Sequence, residues 1–264
     1  MYEEKNRKIR ESGKATRERR SNMSCRVISV KIQENRLSKT KLEKLKRFFL
    51  EAKWLYNAVV ASETLTLENT STVQVKVKNT FETREIKNLS AQMKQSVVDS
   101  VKTNVRSLSK AKKKGLKVGR LQFKKECNEI NLKQFGQTYA IKGKNKIRVQ
   151  NIGILVVNGL EQIDLDAVEF ANAKLIQKPS GFYIHLTIYS KKQPEILTEK
   201  EVLGLDMGIK DQLTFSNGVK VNFYVEESEQ LKSLMRKLSR QVKGSNQYKQ
   251  TLNRIKRIFE YQNN

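Results

Sequence analysis

The chain has 264 residues, enough for one large domain or two smaller ones. It carries 53 Lys and Arg residues against 27 Asp and Glu residues, a formal net charge of +26. That excess repels itself unless a polyanion neutralises it, so nucleic acid is the expected partner. No apolar run reaches the ~20 residues of a membrane-spanning helix, and the first residues lack the apolar core of a signal peptide.

The N-terminal half predicts an arm, one strand and a helical lobe. Residues 1–24 are basic and lack periodicity, which predicts a disordered arm. Within 25–37, Cys25–Ile32 alternates apolar and polar residues, as a strand does. The segment 38–115 predicts a long helix that opens near Ser38, a short strand or hairpin arm, and a second helix from about residue 90 to the break at residue 115.

The segment 116–198 predicts an antiparallel β-barrel or sandwich. It contains short runs rich in β-branched and aromatic residues, separated by turns of Gly, Asn and Lys. We expect the strand at 25–32 to join the same barrel, with the two helices inserted between barrel strands. The predicted strands are Arg120–Phe123, Glu129–Leu132, Thr138–Ile141, Lys146–Val149, Ile154–Val157, Ala167–Ile176 and Phe182–Tyr189.

The segment 199–264 predicts a separate small domain after the polar boundary Lys191–Lys200. Three short strands should form a meander around an Asn217-Gly218 hairpin turn. Two helices should follow over Glu226–Tyr261, divided at Gly244–Asn246. The two cysteines, Cys25 and Cys127, lie far apart without Cys or His in metal-binding spacing, so we expect them reduced, in a cytosolic protein without zinc.

Five motifs, in order, resemble TnpB, the transposon-encoded RNA-guided nucleases ancestral to the type V CRISPR effectors. They are Trp54–Asn57 (WLYN), Gly119–Lys124 (GRLQFK), Gly181–Leu186 (GFYIHL), Gly204–Lys210 (GLDMGIK) and Leu238–Asn246. The resemblance implies a mixed α+β fold: a wedge-type β-barrel, an inserted helical recognition lobe at 38–115, and an incomplete RNase H-like (RuvC) domain from about residue 199. It also implies a prokaryotic, nucleoid-associated protein.

Asp206 stands where that family places its first catalytic acid. The family continues with a second acid, a four-cysteine zinc finger and a third acid, which have no counterpart here. Two-metal catalysis needs several carboxylates around ions ~3.5–4 Å apart, and one carboxylate cannot hold both. The later acids (Asp211, Glu226, Glu227, Glu229 and Glu260) lie in a turn or on helices. We therefore expect no cofactor, a vestigial Asp206 and no nuclease activity.

The expected nucleic-acid contacts fall in three groups. Two groups are basic runs, for which the alternative interpretation is a solvated helix face. The third group lies on two helix segments that, by resemblance, are near the short duplex motif flanking the target. Trp54 and Tyr56 cannot share a helix face, so one should pack and the other be freer. His185 should be structural. The contact residues are Lys112, Lys113, Lys114, Lys117, Arg120, Lys124 and Lys125; Arg236, Lys237, Arg240 and Lys243; and Tyr56, Asn57, Gln92, Gln95 and Ser96.

The function expected from these features is RNA-guided binding of double-stranded DNA without cleavage, with transcriptional repression as the output. The partners would be a guide RNA and a DNA target with a short flanking motif, and no membrane. Three alternatives stay open: a degenerate transposon nuclease, an artificial fragment of an active nuclease, and a general basic RNA-binding protein. The sequence leaves the oligomeric state open.

Overall fold

The computed structural model describes residues 2–62, 64–67, 69–192, 203–208, 211–222 and 228–262. The chain divides into two compact units, Met1–Lys192 and Gln193–Asn264. The first unit is mixed α/β, with a curled, half-barrel sheet and three long helices. Pro194 and Val202, which the sequence places in the boundary and at the start of the meander, lie outside the described residues.

Three helices belong to the first unit: α1 (Tyr2–Ser21), α2 (Lys39–Ala61) and α3 (Ala91–Lys113). Ser38 caps α2 by accepting a hydrogen bond from the Lys41 amide at 3.3 Å, and Ser90 caps α3 through the Met93 amide at 3.4 Å. Both predicted helices and their starts are confirmed. Basic residues in the last turn of α3 complement the helix dipole before the chain turns at Gly115.

The structure has a helix, α1, where the sequence predicted a disordered arm. Exposed pairs four residues apart, such as Lys8 with Glu4 at 3.1 Å, line this helix, although such pairs contribute little each. Its last turn is anchored: the guanidinium groups of Arg19 and Arg20 each lie 2.7 Å from the Glu169 carboxylate. The residues of this contact are 150 positions apart, so the local sequence pattern of residues 1–24 could not predict it.

Seven antiparallel strands form one sheet in the order β4-β8-β9-β1-β7-β6-β5. The first strand thus lies between β9 and β7, although α2 and α3 separate it from both in sequence. The prediction that it joins the later strands is confirmed. The strands are β1 (Met23–Ile32), β4 (Glu129–Leu132), β5 (Tyr139–Ile141), β6 (Lys146–Val149), β7 (Gly153–Asn158), β8 (Glu169–Lys178) and β9 (Gly181–Lys191).

Two details of the predicted barrel differ from the structure. The sheet is open, because β4 and β5 form its two edges and do not pair with each other in the described part of the chain. Arg120–Phe123 forms no strand; it lies in an extended connection between α3 and β4. Its four residues include one aromatic and no β-branched side chain, and Phe123 finds no core position and stays 64% exposed.

A hairpin of β2 (Thr72–Val77) and β3 (Thr80–Glu85) joins α2 to α3. Helix α2 contacts this hairpin, α3 and β4, so nearly its whole circumference is covered over its C-terminal half. Trp54 and Tyr56 are therefore both buried, at 9% and 2% exposure. The expectation that one of them stays freer is wrong, because it assumed a helix with a single buried face.

The second unit contains a three-stranded meander and two helices. The strands β10 (Leu205–Asp206), β11 (Leu213–Phe215) and β12 (Lys220–Val221) pair in that order, as predicted. Gly218 adopts a φ of 84° in the Asn217-Gly218 turn, a conformation that favours glycine. Helices α4 (Glu229–Ser239) and α5 (Asn246–Gln262) follow, separated at the predicted position.

Candidate nucleic-acid interface

A basic tract runs from the end of α3 into the extended connection. Its side chains are exposed, apart from the half-buried Lys124, and none makes an ion pair with a carboxylate in the described part of the chain. We name this set the α3 basic tract. It comprises Lys112, Lys113, Lys114, Lys117, Arg120, Lys124 and Lys125. Unneutralised cations on a helix end and the adjoining connection are suited to phosphate contacts.

Asn57 fixes the far end of this tract to α2. Its side-chain amide donates to the Lys124 carbonyl at 3.0 Å, and its oxygen accepts from the Lys124 amide at 2.8 Å. The Lys124 ammonium lies 4.2 Å from the centre of the Tyr56 ring. Tyr56 is 2% exposed, and both polar atoms of the Asn57 side chain bond to the Lys124 backbone. We therefore infer that both residues position Lys124, in place of the direct contacts expected from the sequence.

Gln92 lies at the start of α3, beside the turn between β4 and β5. Its amide nitrogen donates to the side-chain oxygens of Gln134 and Gln137, the latter at 2.7 Å. The Gln92 side-chain oxygen is buried and has no hydrogen-bond partner within the described residues. We name these three side chains the glutamine cluster. Gln134 and Gln137 are its exposed members, and a glutamine amide matches the donor and acceptor pattern of an adenine edge in the major groove.

The turn that carries the cluster is held in place by its neighbours. The Thr138 hydroxyl donates to the Gln134 carbonyl at 2.8 Å and accepts from the Gln134 amide at 3.1 Å. Phe135 stacks on Phe170 with ring centres 4.9 Å apart. Arg148 donates to the Gly136 carbonyl at 2.8 Å. A rigid turn of this kind presents side chains in fixed positions, which lowers the entropic cost of binding.

Two other residues predicted on α3 hydrogen-bond within the protein, one buried and one exposed. Ser96 is 1% exposed, and its hydroxyl bonds to the carbonyls of Met93 at 2.7 Å and Asn131 at 3.3 Å. It cannot touch a ligand. The exposed Gln95 donates to Asp99 at 2.9 Å on its own helix. Adjacent helix positions point in different directions, so one can be buried while the next is exposed. The sequence pattern did not show that Ser96 would be buried and Gln95 exposed.

The basic run of the second unit lies on α4 and in the turn that follows it. Leu231 is buried on one side of the helix, and Leu234 and Leu238 are half-buried. The opposite side carries exposed cations without an ion pair in the described residues: Arg236, Lys237, Arg240 and Lys243. Each unit thus carries its own basic surface.

Asp206 ends β10, opposite Thr214 of β11, and is exposed. A Cβ added to Gly208 would lie 2.8 Å from the Asp211 carbonyl oxygen, so this position requires glycine. A hydrogen bond from Lys220, at 2.6 Å, lowers the pKa of Asp211 and occupies its carboxylate. Glu229 pairs with Lys232, whereas Glu226 and Glu227 lie outside the described residues. Within the described residues, no three His, Cys, Asp or Glu side chains gather as a metal site.

Gln134 and Gln137 were missed from the sequence. They lie 42 and 45 residues from Gln92, and no local motif marks them beyond the Gly136 turn. No helix in the described part of the chain is long and apolar enough to cross a membrane. No model of a known protein family matches the chain, and a search of curated proteins finds none that is similar. The TnpB resemblance therefore stays a prediction.

Proposed function

We propose that this protein binds double-stranded DNA under the direction of a guide RNA, without cleaving it. The observation that carries the proposal is the concentration of unneutralised cations in the α3 basic tract and on α4, in a chain of net charge +26. Such surfaces bind nucleic acid through phosphate contacts and counterion release, independently of base sequence. Guide pairing would supply sequence specificity, leaving the protein to recognise duplex shape and a short flanking motif.

The glutamine cluster is the part of the surface best suited to such a motif. A bidentate Gln contact to adenine discriminates by ~1–3 kcal/mol against other bases. The cluster lies at the N-terminal end of α3, and the α3 basic tract begins at the C-terminal end of the same helix. We assign base-edge contacts to the exposed Gln134 and Gln137, which Gln92 holds in place, and phosphate contacts to the lysines. Gln95 stays a candidate because its hydrogen bond to Asp99 is exposed and exchangeable.

The absence of cleavage is proposed on the chemistry around Asp206. This carboxylate is exposed, and it belongs to no group of three or more His, Cys, Asp or Glu side chains among the described residues. A single carboxylate does not hold two Mg²⁺ ions at the spacing of about 4 Å that in-line displacement requires. Stable occupancy of a promoter would block RNA polymerase, so repression is the proposed biological output. A degenerate transposon nuclease and an artificial fragment of an active nuclease predict no such occupancy in the native host.

A programmed binding assay tests the proposal. The protein is expressed with its native RNA, the variable end of that RNA is replaced by a chosen sequence, and the complex is incubated with matched and scrambled duplexes in Mg²⁺. We expect retention of the matched duplex, uncut. Equal retention of both duplexes would favour the alternative of a general basic RNA-binding protein. A cut matched duplex would refute the non-cleaving part alone.

A further inference from the structure

The central strands of the sheet have a second face, turned away from the core. Along β9, Phe182, Ile184, Leu186 and Ile188 are buried, and the residues between them are half-buried. Register pairs Tyr183 with Lys31, His185 with Ser29 and Tyr189 with Cys25 across β9 and β1. We name this outward surface the tyrosine face. It comprises Tyr183, His185, Thr187 and Tyr189 of β9, Cys25, Val27, Ser29 and Lys31 of β1, and Lys174, Ile176 and Lys178 of β8.

Cations lie beside both tyrosine rings of this face. The ammonium groups of Lys31 and Lys178 lie 5.7 and 5.1 Å from the centre of the Tyr183 ring. The guanidinium of Arg20 lies 4.6 Å from the centre of the Tyr189 ring. An aromatic ring flanked by cations can stack on a base while the cations meet the adjoining phosphates.

The Tyr183 ring is held in position. Its hydroxyl lies 2.7 Å from the Ser180 hydroxyl, in the tight turn between β8 and β9. Two residues further along β9, burial and then the charges of Lys178 and Lys174 lower the pKa of His185. A neutral imidazole is a flat ring that also stacks on bases. The face thus offers three flat rings in a row on one rigid strand.

The spacing of these rings fits separate bases better than one ligand. Same-face neighbours on a strand are about 7 Å apart, so Tyr183 and Tyr189 are separated by about 20 Å.

Val27, 62% exposed, lies between them on the neighbouring strand. Val27 and the half-buried Ile176 are the aliphatic side chains of this face, which is little for a hydrophobic protein partner. Two carboxylates lie beside this face, Glu129 next to Lys174 and Glu169 next to Arg20. The cations on and beside the face outnumber them.

We infer that the tyrosine face binds single-stranded RNA, with unpaired bases stacked on Tyr183 and Tyr189 and phosphates held by Lys31 and the cations around them. The inference rests on the proposed nucleic-acid binding and adds a second surface to it. Proteins recognise RNA chiefly through unpaired bases in loops and ends, which can leave their own stack for an aromatic ring. A folded guide RNA offers such bases, whereas a paired DNA duplex does not.

The test uses the full chain, freed of co-purifying RNA, and fluorescence anisotropy with labelled oligo-U and oligo-A RNA. Tyr183→Ala and Tyr189→Ala should each weaken binding roughly tenfold without changing its salt dependence, because stacking releases no counterions. Tyr183→Phe keeps the ring and should retain wild-type affinity. Tyr261→Ala removes a tyrosine that is 84% exposed on α5 and is the matched control.

The outcomes separate this inference from the proposed function. If both alanine variants bind as wild type while neutralising the α3 basic tract abolishes binding, the tyrosine face is refuted and the function stands. If the wild type binds no nucleic acid, both fall. Tighter binding of oligo-dA than of oligo-A would overturn RNA as the occupant. Should an alanine variant fail to fold, 4-thiouridine crosslinking of the wild-type protein decides: crosslinks to residues of the tyrosine face support the inference, and crosslinks only elsewhere refute it.

Discussion

Neutralising three lysines at the end of α3 should change both the strength and the salt dependence of DNA binding. The triple variant Lys112→Gln, Lys113→Gln and Lys114→Gln keeps good helix formers in place, so the fold should persist. Each lysine is exposed and has no ion pair in the described residues, so each can neutralise one phosphate. With a slope of ≈ −0.9 per neutralised phosphate, the variant should flatten log K against log salt by about 2.7.

That change in slope fixes the loss of affinity. If the wild type and the variant bind equally at about 1 M salt, the affinity difference at about 0.15 M should be roughly 150-fold. The assay is anisotropy of a labelled duplex titrated across a salt series. A matched control removes three exposed lysines from the β5–β6 hairpin instead: Lys142, Lys144 and Lys146, each replaced by Gln.

The control distinguishes phosphate contacts made by these three lysines from a general effect of lowering the net charge of a basic protein. We expect the hairpin variant to keep a slope close to that of the wild type. The assignment of the α3 basic tract is refuted if both triple variants lose the same slope. It is also refuted if the tract variant keeps the wild-type slope.

Three further predictions concern the scaffold. Glu51, 1% exposed, accepts from the amides of residues 88 and 89 at 2.9 and 3.2 Å, so Glu51→Ala should lower the free energy of unfolding by about 2–4 kcal/mol in urea titrations, while the exposed Glu43→Ala stays within about 0.5 kcal/mol. Asn57→Ala removes both partners of the Lys124 backbone, so trypsin should cleave there faster, and an unchanged rate would refute the positioning role. Burial raises the pKa of Glu169, but its hydrogen bonds and charge contacts with Arg20 and Arg19 outweigh burial and lower the pKa overall. The contact that anchors α1 should therefore be intact at pH values above the usual glutamate pKa and weaken as pH falls through the lowered pKa. Faster amide exchange in α1 at acidic pH would reveal this weakening.

Local patterns predicted the elements of this chain well. Ser38 and Ser90 mark helix starts because their hydroxyls satisfy amides at the first turn, a requirement that sequence alone expresses. The strands Glu129–Leu132 and Lys146–Val149 match their predicted bounds, since each alternates buried and less buried residues. The prediction that β1 joins the sheet followed from the need to pair an isolated strand, whereas its neighbours β9 and β7 were not predicted.

The candidate site was harder to predict because it depends on contacts between distant segments. Asn57 looked like a base contact until the structure joined it to Lys124, 67 residues away. Gln92 gained two glutamine neighbours from the β4–β5 turn, which no periodicity could assign. Ser96 lost its predicted role because β4 covers its side of α3, a tertiary effect that helix spacing does not report.

Sequencing the RNA that co-purifies with the protein from its native host is the most direct test of guided binding. We expect one discrete RNA, with a constant scaffold and a short variable end that matches a chromosomal site next to a recurring motif. A mixture of ribosomal and messenger RNA fragments without a common scaffold would contradict guided binding and leave a general basic RNA-binding protein.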